Sequence, residues 1–235
     1  MNQSAFVSSP YELNVVRTYR EAMFEIVIDN CALREVYEYV RASQHDTMLP
    51  YHNPQHCIRT AMRAYELFQL ENVDFDLKVL MVACLFHDFG HTGQRPDSKN
   101  IDIAVNALWA CESVQRALSR RDIKHAERMI RVTEFPFVHE PETIYEKIIR
   151  DADLMEGFEP FHLRTILYDL RNELVSVQGE ITVAEAVKRQ QAFMNAVTMY
   201  TESGRRIWQA TKLAAILSMH AKATELDQLG LDEVK

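Results

Sequence analysis

An all-α bundle is the architecture to expect from this chain, for three reasons. Apolar residues recur at helical spacing in almost every segment. Only 6 glycines and 7 prolines punctuate 235 residues, too few for a sheet-rich fold. Segment starts carry cap residues followed by Pro or Glu, the chemistry of helix N-termini. Hydrophobic residues make up 47% of the chain, so it is globular and long enough for one substantial domain with a real core.

The elements follow in order. Ser9-Pro10-Tyr11-Glu12 reads as a capping box with Pro at the first helical position, opening a helix to about Asp29. Val15, Val16, Tyr19, Met23, Ile26 and Val27 supply its apolar face. A shorter helix runs from Leu33 to about Val40, and residues 45–53 form a loop. Asn53-Pro54 caps and starts a helix to about Leu70. Asp74 is the expected cap of the next, which is apolar nearly all round from Leu77 to Phe86 and therefore buried mid-domain. Gly90 ends it, and Thr92 to Lys99, with Pro96, is a loop. Helices are expected over 100–118, 122–133, 142–151, 160–176, 183–200 and 204–222, followed by an acidic, frayed tail from Thr224. The sum is nine to ten helices in a single domain spanning 1–235, without repeat or linker.

Charge and cysteine usage narrow the function classes. The formal charge of −8 argues against a large surface for a nucleic-acid backbone, so no nucleic-acid partner is expected. Cys31, Cys57, Cys84 and Cys111 form no CxxC pair and no zinc-ribbon spacing. They read as reduced, mostly buried thiols in a reducing compartment. The start Met-Asn-Gln-Ser lacks a charged-then-apolar leader, and the longest apolar run, 79–86, is too short for a bilayer. A cytoplasmic protein without membrane contact is the expectation.

The chemistry lies in an ordered ligand set: His56, then the pair His87-Asp88, then Asp153, with His91 one turn beyond the pair. Consecutive residues of a regular helix point about 100° apart. His87 and Asp88 can therefore reach one ion only at a helix end, which Gly90 provides. His56 falls in the first turn after Pro54. Asp153 follows the amphipathic segment 144–150 and faces inward, leaving Asp151 to solvent or a supporting partner. A lone His-Asp dipeptide carries no information, and a buried His is more often a hydrogen-bonded core residue. A buried apolar helix, however, has little reason to finish in a charge unless something pairs it. Carboxylates beside imidazoles suit one or two divalent ions: Mn, Mg, Zn, Fe or Co. Asp88 has two oxygens and can bridge two ions about 3.5–4 Å apart, with a hydroxide between them near neutral pH.

These residues resemble the HD superfamily of metal-dependent phosphohydrolases, and within it the class I 3′,5′-cyclic nucleotide phosphodiesterases. YHNPQH at 51–56 is similar to their YHNxxH motif, HDFGHTG at 87–93 to HDxxHxG, and ADLME at 152–156 to ADxSN. The resemblance implies an HD-type helical bundle with its motif-bearing core at about 46–200. It implies His56, His87, Asp88 and Asp153 as ligands of the first metal. His52 becomes the general acid for the leaving oxygen, and His91 a group near the bridging water. VTEFPFVH at 132–139 is similar to ATDMSKH, with Glu134 for Asp and two extra residues before His139. Gln190 and Phe193 match a Gln-x-x-Phe pair that bonds and stacks on a purine, and Tyr51 joins them as a substrate contact. The chain departs from the family at Pro96, where HxGxxN has Asn, with Asn100 the candidate replacement, and at Glu156 in place of Asn.

The implied activity is hydrolysis of a 3′,5′-cyclic nucleotide to the 5′-monophosphate by a metal-bridging hydroxide, with a small nucleotide or phosphoester as partner. A nucleotidase or dNTP triphosphohydrolase on the same scaffold is the alternative, with Arg95 and Lys99 as candidate triphosphate contacts. A di-iron oxygenase is a third reading. His45, His125, His162 and His220 are expected as surface or core residues, His139 as a candidate for a second metal, and Trp109 and Trp208 as core anchors.

Overall fold

The computed structural model describes residues 10–43, 49–74, 76–156 and 165–228. Among these there is no strand, and eleven α-helices and one π-helical stretch follow one another. They are α1 (Pro10–Asn30), α2 (Arg34–Ala42), α3 (Pro54–Glu71), α4 (Leu77–Phe86), α5 (Ser98–Ala110) and α6 (Glu112–Ala117). Then come α7 (Arg120–Arg131), α8 (Ile144–Glu156), the π-helical stretch Thr165–Leu170, α9 (Arg171–Gln178), α10 (Val183–Ala196) and α11 (Glu202–Gln228). The all-α expectation holds.

α4 is the axis of the bundle. Every residue from Val79 to Phe86 is buried, as an all-round apolar sequence requires. Helices α2, α3, α5, α7 and α8 all pack on it, and α3 also packs along α8. Asn53 shapes the start of α3: its Oδ1 accepts from the N–H groups of Gln55 (3.0 Å) and His56 (3.2 Å), with Pro54 at the first position. That cap fixes His56 in the first helical turn, its side chain buried.

Several boundaries differ from expectation for local reasons. The Ser9 cap lies outside the described residues, and α1 does begin at Pro10. Its buried face holds Phe24, Val27 and Ile28, whereas Met23 and Ile26 are exposed. The Phe24 ring meets Tyr37 edge-on at 6.1 Å, which rotates the core face away from them. Asp76, not Asp74, caps α4, accepting from Lys78 N at 2.9 Å. The segment expected as one helix over 100–118 breaks at Cys111, whose backbone is extended (φ −72°, ψ 111°). Gln115 Nε2 donates to the Trp109 carbonyl (2.7 Å), satisfying one acceptor that the break releases. Ser119 caps α7, so that helix starts at Arg120. Inside α8, Glu146 turns back to accept from Glu142 N (2.8 Å) and Thr143 N (3.1 Å), setting the start at Ile144. Residues 160–164 of the helix expected over 160–176 lie outside the described residues, and Gly179 (φ +82°) follows α9. α11 continues to Gln228, through the segment expected to fray.

α10 ends at Ala196 rather than Tyr200, and Asp151 explains why. This residue, expected at solvent or on a supporting partner, has no exposed surface. Its carboxylate accepts from Tyr200 N (2.8 Å), Thr201 N (2.8 Å) and Thr201 Oγ1 (2.7 Å). The chain just before α11 is thus tied to α8. Gly204 N donates to Thr201 Oγ1 at 2.9 Å, and a Cβ at 204 would meet that oxygen at 2.7 Å and the Asp151 carboxylate closer still. We predict that Gly204→Ala destabilises the protein by about 1–3 kcal/mol through overpacking, read as a lowered Tm. Asp151→Ala should cost about 3 kcal/mol or more, because it strands buried donors.

Candidate metal centre and cavity

Three helices deliver the ligand set to one point. His56 comes from the first turn of α3, His87 and Asp88 from the end of α4, and Asp153 from the last turns of α8. Asp153 lies inside α8, not beyond it, because the helix runs on to Glu156. Gly90 (φ +72°) lets the chain turn away directly after the pair, in a left-handed conformation that suits glycine.

The four side chains converge closely. His56 Nε2 lies 3.1 Å from His87 Nε2, 3.2 Å from Asp88 Oδ2 and 3.2 Å from Asp153 Oδ1. His87 Nε2 lies 3.3 Å from Asp88 Oδ2 and 3.4 Å from Asp153 Oδ1. Donor atoms about 2.1 Å from a shared ion stand about 3.0–3.4 Å apart in octahedral or tetrahedral geometry. The cluster fits that spacing. His87 Nδ1 donates to the Cys84 carbonyl at 2.8 Å, so in the neutral ring Nε2 carries a lone pair. One cation shared by the four groups would meet both facing imidazole nitrogens and both carboxylates at once. The titration pattern says the same. Burial pushes His87 down, yet Asp88 and Asp153 hold it well above the ordinary imidazole value. Burial pushes the carboxylates up, yet the two imidazoles hold Asp88 well below its usual range and bring Asp153 down to about 2. The site attracts positive charge, as protons or as metal.

Beside it stands a second group, His52, His91 and Glu173. The rings of His52 and His91 stack at 4.0 Å, 19° from parallel. Glu173 is buried and receives three donors on two oxygens: Tyr51 N (3.3 Å), His52 N (3.1 Å) and the His52 Nδ1–H. His52 Nε2 is left facing the metal-type cluster, 4.0 Å from Asp88 Oδ2. His91 Nδ1 accepts from Gly93 N (3.0 Å), so its proton sits on Nε2, 3.4 Å from Asp97 Oδ1. The His91 Nδ1 lone pair and the Glu173 oxygens are committed to N–H donors, which fits a proton-handling pair better than a second metal site. Burial pushes His91 down, but Asp97, Asp88 and Glu173 raise it above the ordinary value. Burial pushes Glu173 up, but His52 pulls it below the usual carboxylate range.

Both groups open into one cavity of about 260 Å³. Tyr51, His52, His56, Asp88, His91 and Asp153 line it, while His87 is buried and off its wall. Gln190 and Phe193 of α10 line the same cavity, with Phe135, Phe137, Leu154 and Ile166. Phe135 meets Phe193 edge-on at 5.8 Å and Phe137 at 5.3 Å. Arg150, fully buried on α8, holds this aromatic loop: Nε donates to the Val132 carbonyl, Nη2 to the His139 carbonyl (2.7 Å), and the guanidinium covers the Phe137 ring at 3.8 Å.

Other expected positions fall elsewhere. His139 is exposed and belongs to neither metal-type cluster. His220 is exposed and His125 half-buried, while His45 and His162 lie outside the described residues. Trp208 is buried and Trp109 half-buried. Asn100 is buried and braces the loop after the HD motif, accepting from Thr92 N (3.1 Å) and donating to the Gln94 carbonyl (3.0 Å).

Two participants escaped the sequence reading. Asp97 directly precedes α5, where an Asp ordinarily caps; its side chain makes no cap bond and turns to His91 instead. Glu173 sits at helical spacing from Ile166 and Leu170. A carboxylate on an apolar face was its one signal.

Comparison with known families gives one result: a model of the HD domain matches residues 55–157. The stretch contains His56, His87, Asp88, His91 and Asp153. The match covers a little under half of the chain and includes all four residues of the metal-type cluster. A search of curated proteins finds no match.

The cluster predicts that Asp153→Ala weakens Mn²⁺ binding at least about 100-fold, since removing even a supporting partner costs about 10–100-fold. Equilibrium dialysis with metal analysis measures it. His139→Ala should bind Mn²⁺ as the parent does.

Proposed function

We propose that the chain is a metal-dependent phosphohydrolase that converts a 3′,5′-cyclic nucleotide to its 5′-monophosphate. The observation that carries the reading is one cavity lined both by a metal-type cluster flanked by a carboxylate-bound histidine and by aromatic rings beside an amide. The HD-domain match over the ligand-bearing stretch supports the phosphohydrolase class.

His56, His87, Asp88 and Asp153 would hold the ion. A divalent ion there supplies charge against phosphate oxygens and lowers the pKa of water. Glu173 fixes the Nδ1–H of His52, so Nε2 is the atom presented to the substrate. A proton carried on Nε2 can pass from there to the departing ribose oxygen. His91, stacked on His52, holds the ring plane. Phe193 and Phe135 offer faces and edges to a planar base, and Gln190 an amide that can donate and accept.

The cationic inventory favours a single scissile phosphate over a triphosphate. Among the described lining residues Arg95 is the one Lys or Arg; Lys99 is exposed and off the cavity wall. Four unbridged thiols, three of them buried, suit the proposed cytoplasmic setting.

Chromatography of products from Mn²⁺-loaded protein tests the reading, with 3′,5′-cyclic mononucleotides and dinucleotides, 2′,3′-cyclic nucleotides, 5′-monophosphates and dNTPs as the panel. Conversion of a 3′,5′-cyclic nucleotide to the 5′-monophosphate, lost in Asp88→Ala, is the expected result. Turnover of only monophosphates or dNTPs would refute the cyclic-nucleotide assignment. His52→Ala should lower nucleotide turnover by about 10²–10⁴-fold and affect p-nitrophenyl esters, which need no acid, far less. Equal losses on both would remove His52 from the acid role.

A further inference from the structure

Resting on that reading, we propose that Asp97 is a positioning residue joining the aromatic wall of the cavity to the His91–His52 pair. It sits where two parts of the site meet. Its Oδ2 accepts from the backbone N–H of Phe135 at 2.8 Å, and Phe135 carries the ring that meets Phe193. Its Oδ1 accepts from Asn100 Nδ2 at 3.0 Å and lies 3.4 Å from His91 Nε2. His91 in turn stacks on His52. Phe135 is 38 residues away in sequence, so the contact ties two separate loops.

The chemistry requires a carboxylate. The proton of His91 is on Nε2, because Nδ1 accepts from Gly93 N. Three donors therefore face two oxygens, and each oxygen must accept. An amide at 97 keeps one acceptor. If its oxygen serves His91 and Asn100, its NH₂ faces the Phe135 N–H, donor against donor. The reverse placement sets the NH₂ against two donors, so it is disfavoured. Asn at 97 thus cuts the link to Phe135 and spares His91, whereas Ala cuts both.

That asymmetry gives the test, in steady-state kinetics of Mn²⁺-loaded protein on the 3′,5′-cyclic nucleotide. Asp97→Asn should raise KM about tenfold with kcat within about threefold. Asp97→Ala should also lower kcat at least about tenfold. A general loss of structure would not split KM from kcat in this way. Because Asp97→Asn acts through Phe135, adding Phe135→Ala should raise KM no further than the worse single variant. Identical kinetics for the Asn and Ala variants, or fully multiplying KM effects in the double variant, overturns the proposal. If the Ala variant does not fold, the Asp97→Asn and Phe135→Ala cycle decides alone. If the parent turns over no cyclic nucleotide, the functional reading has failed, and the link is read without activity. The His91 ring ¹⁵N resonances of Mg²⁺-loaded protein should then move in Asp97→Ala and stay in Asp97→Asn; the opposite pattern refutes it.

Discussion

Two imidazole nitrogens and two carboxylate oxygens meeting within hydrogen-bonding distance is the constraint to which this molecule is built. No helix can present all four. Two ligands adjacent in sequence must sit at a helix end, so α4 stops at Phe86 and Gly90 turns the chain away. A third must come from a helix start, which is why Asn53 and Pro54 hold the first turn of α3 so closely. The fourth comes from α8, packed along α3. The full burial of α4 is the corollary. Its ends are aimed by the five helices around it, and apolar packing on every side leaves it little freedom to rotate.

A second theme is the use of buried carboxylates as joints. Glu173 gathers two backbone N–H groups and the His52 ring. Asp151 gathers the chain before α11. Asp97 gathers a loop, an amide and an imidazole. Each joins parts distant in sequence. Part of the formal charge of −8 is therefore spent inside the structure, where each anion meets several donors and its burial is compensated.

Much of this was legible in the sequence because the information is local. Helical periodicity, Asn53-Pro54, and a charge terminating an apolar helix are each written within a few residues, and they gave the helical class and brought together His56, His87, Asp88 and Asp153. Gln190 and Phe193 reach the same cavity because helix α10 fixes their mutual spacing. What was illegible is what depends on contacts across the fold. Asp97 looks like an ordinary cap until its neighbour Phe135 is known. Glu173 finds His52 121 residues away. Asp151 looked outward because only two positions separate it from Asp153, and nothing in the sequence says that the chain before α11 will dock there. Boundaries slipped where a side chain overrode propensity, as with Glu146 at the start of α8 and Gln115 at the break after Trp109.

α8 carries three obligations in four residues. Arg150 holds the aromatic loop, Asp151 the root of α11, and Asp153 one corner of the metal-type cluster. A single helical turn cannot release one of these and keep the others in place. Transient opening of α8 should therefore appear as one cooperative unit in hydrogen exchange, with the amides of α8, of the 132–139 loop and of the first turn of α11 sharing one protection free energy. An ion that bridges α8 to α3 and α4 would slow the exchange of all three together. Ligand occupancy at one end of the molecule would thus be readable in the rigidity of a helix that contributes no ligand.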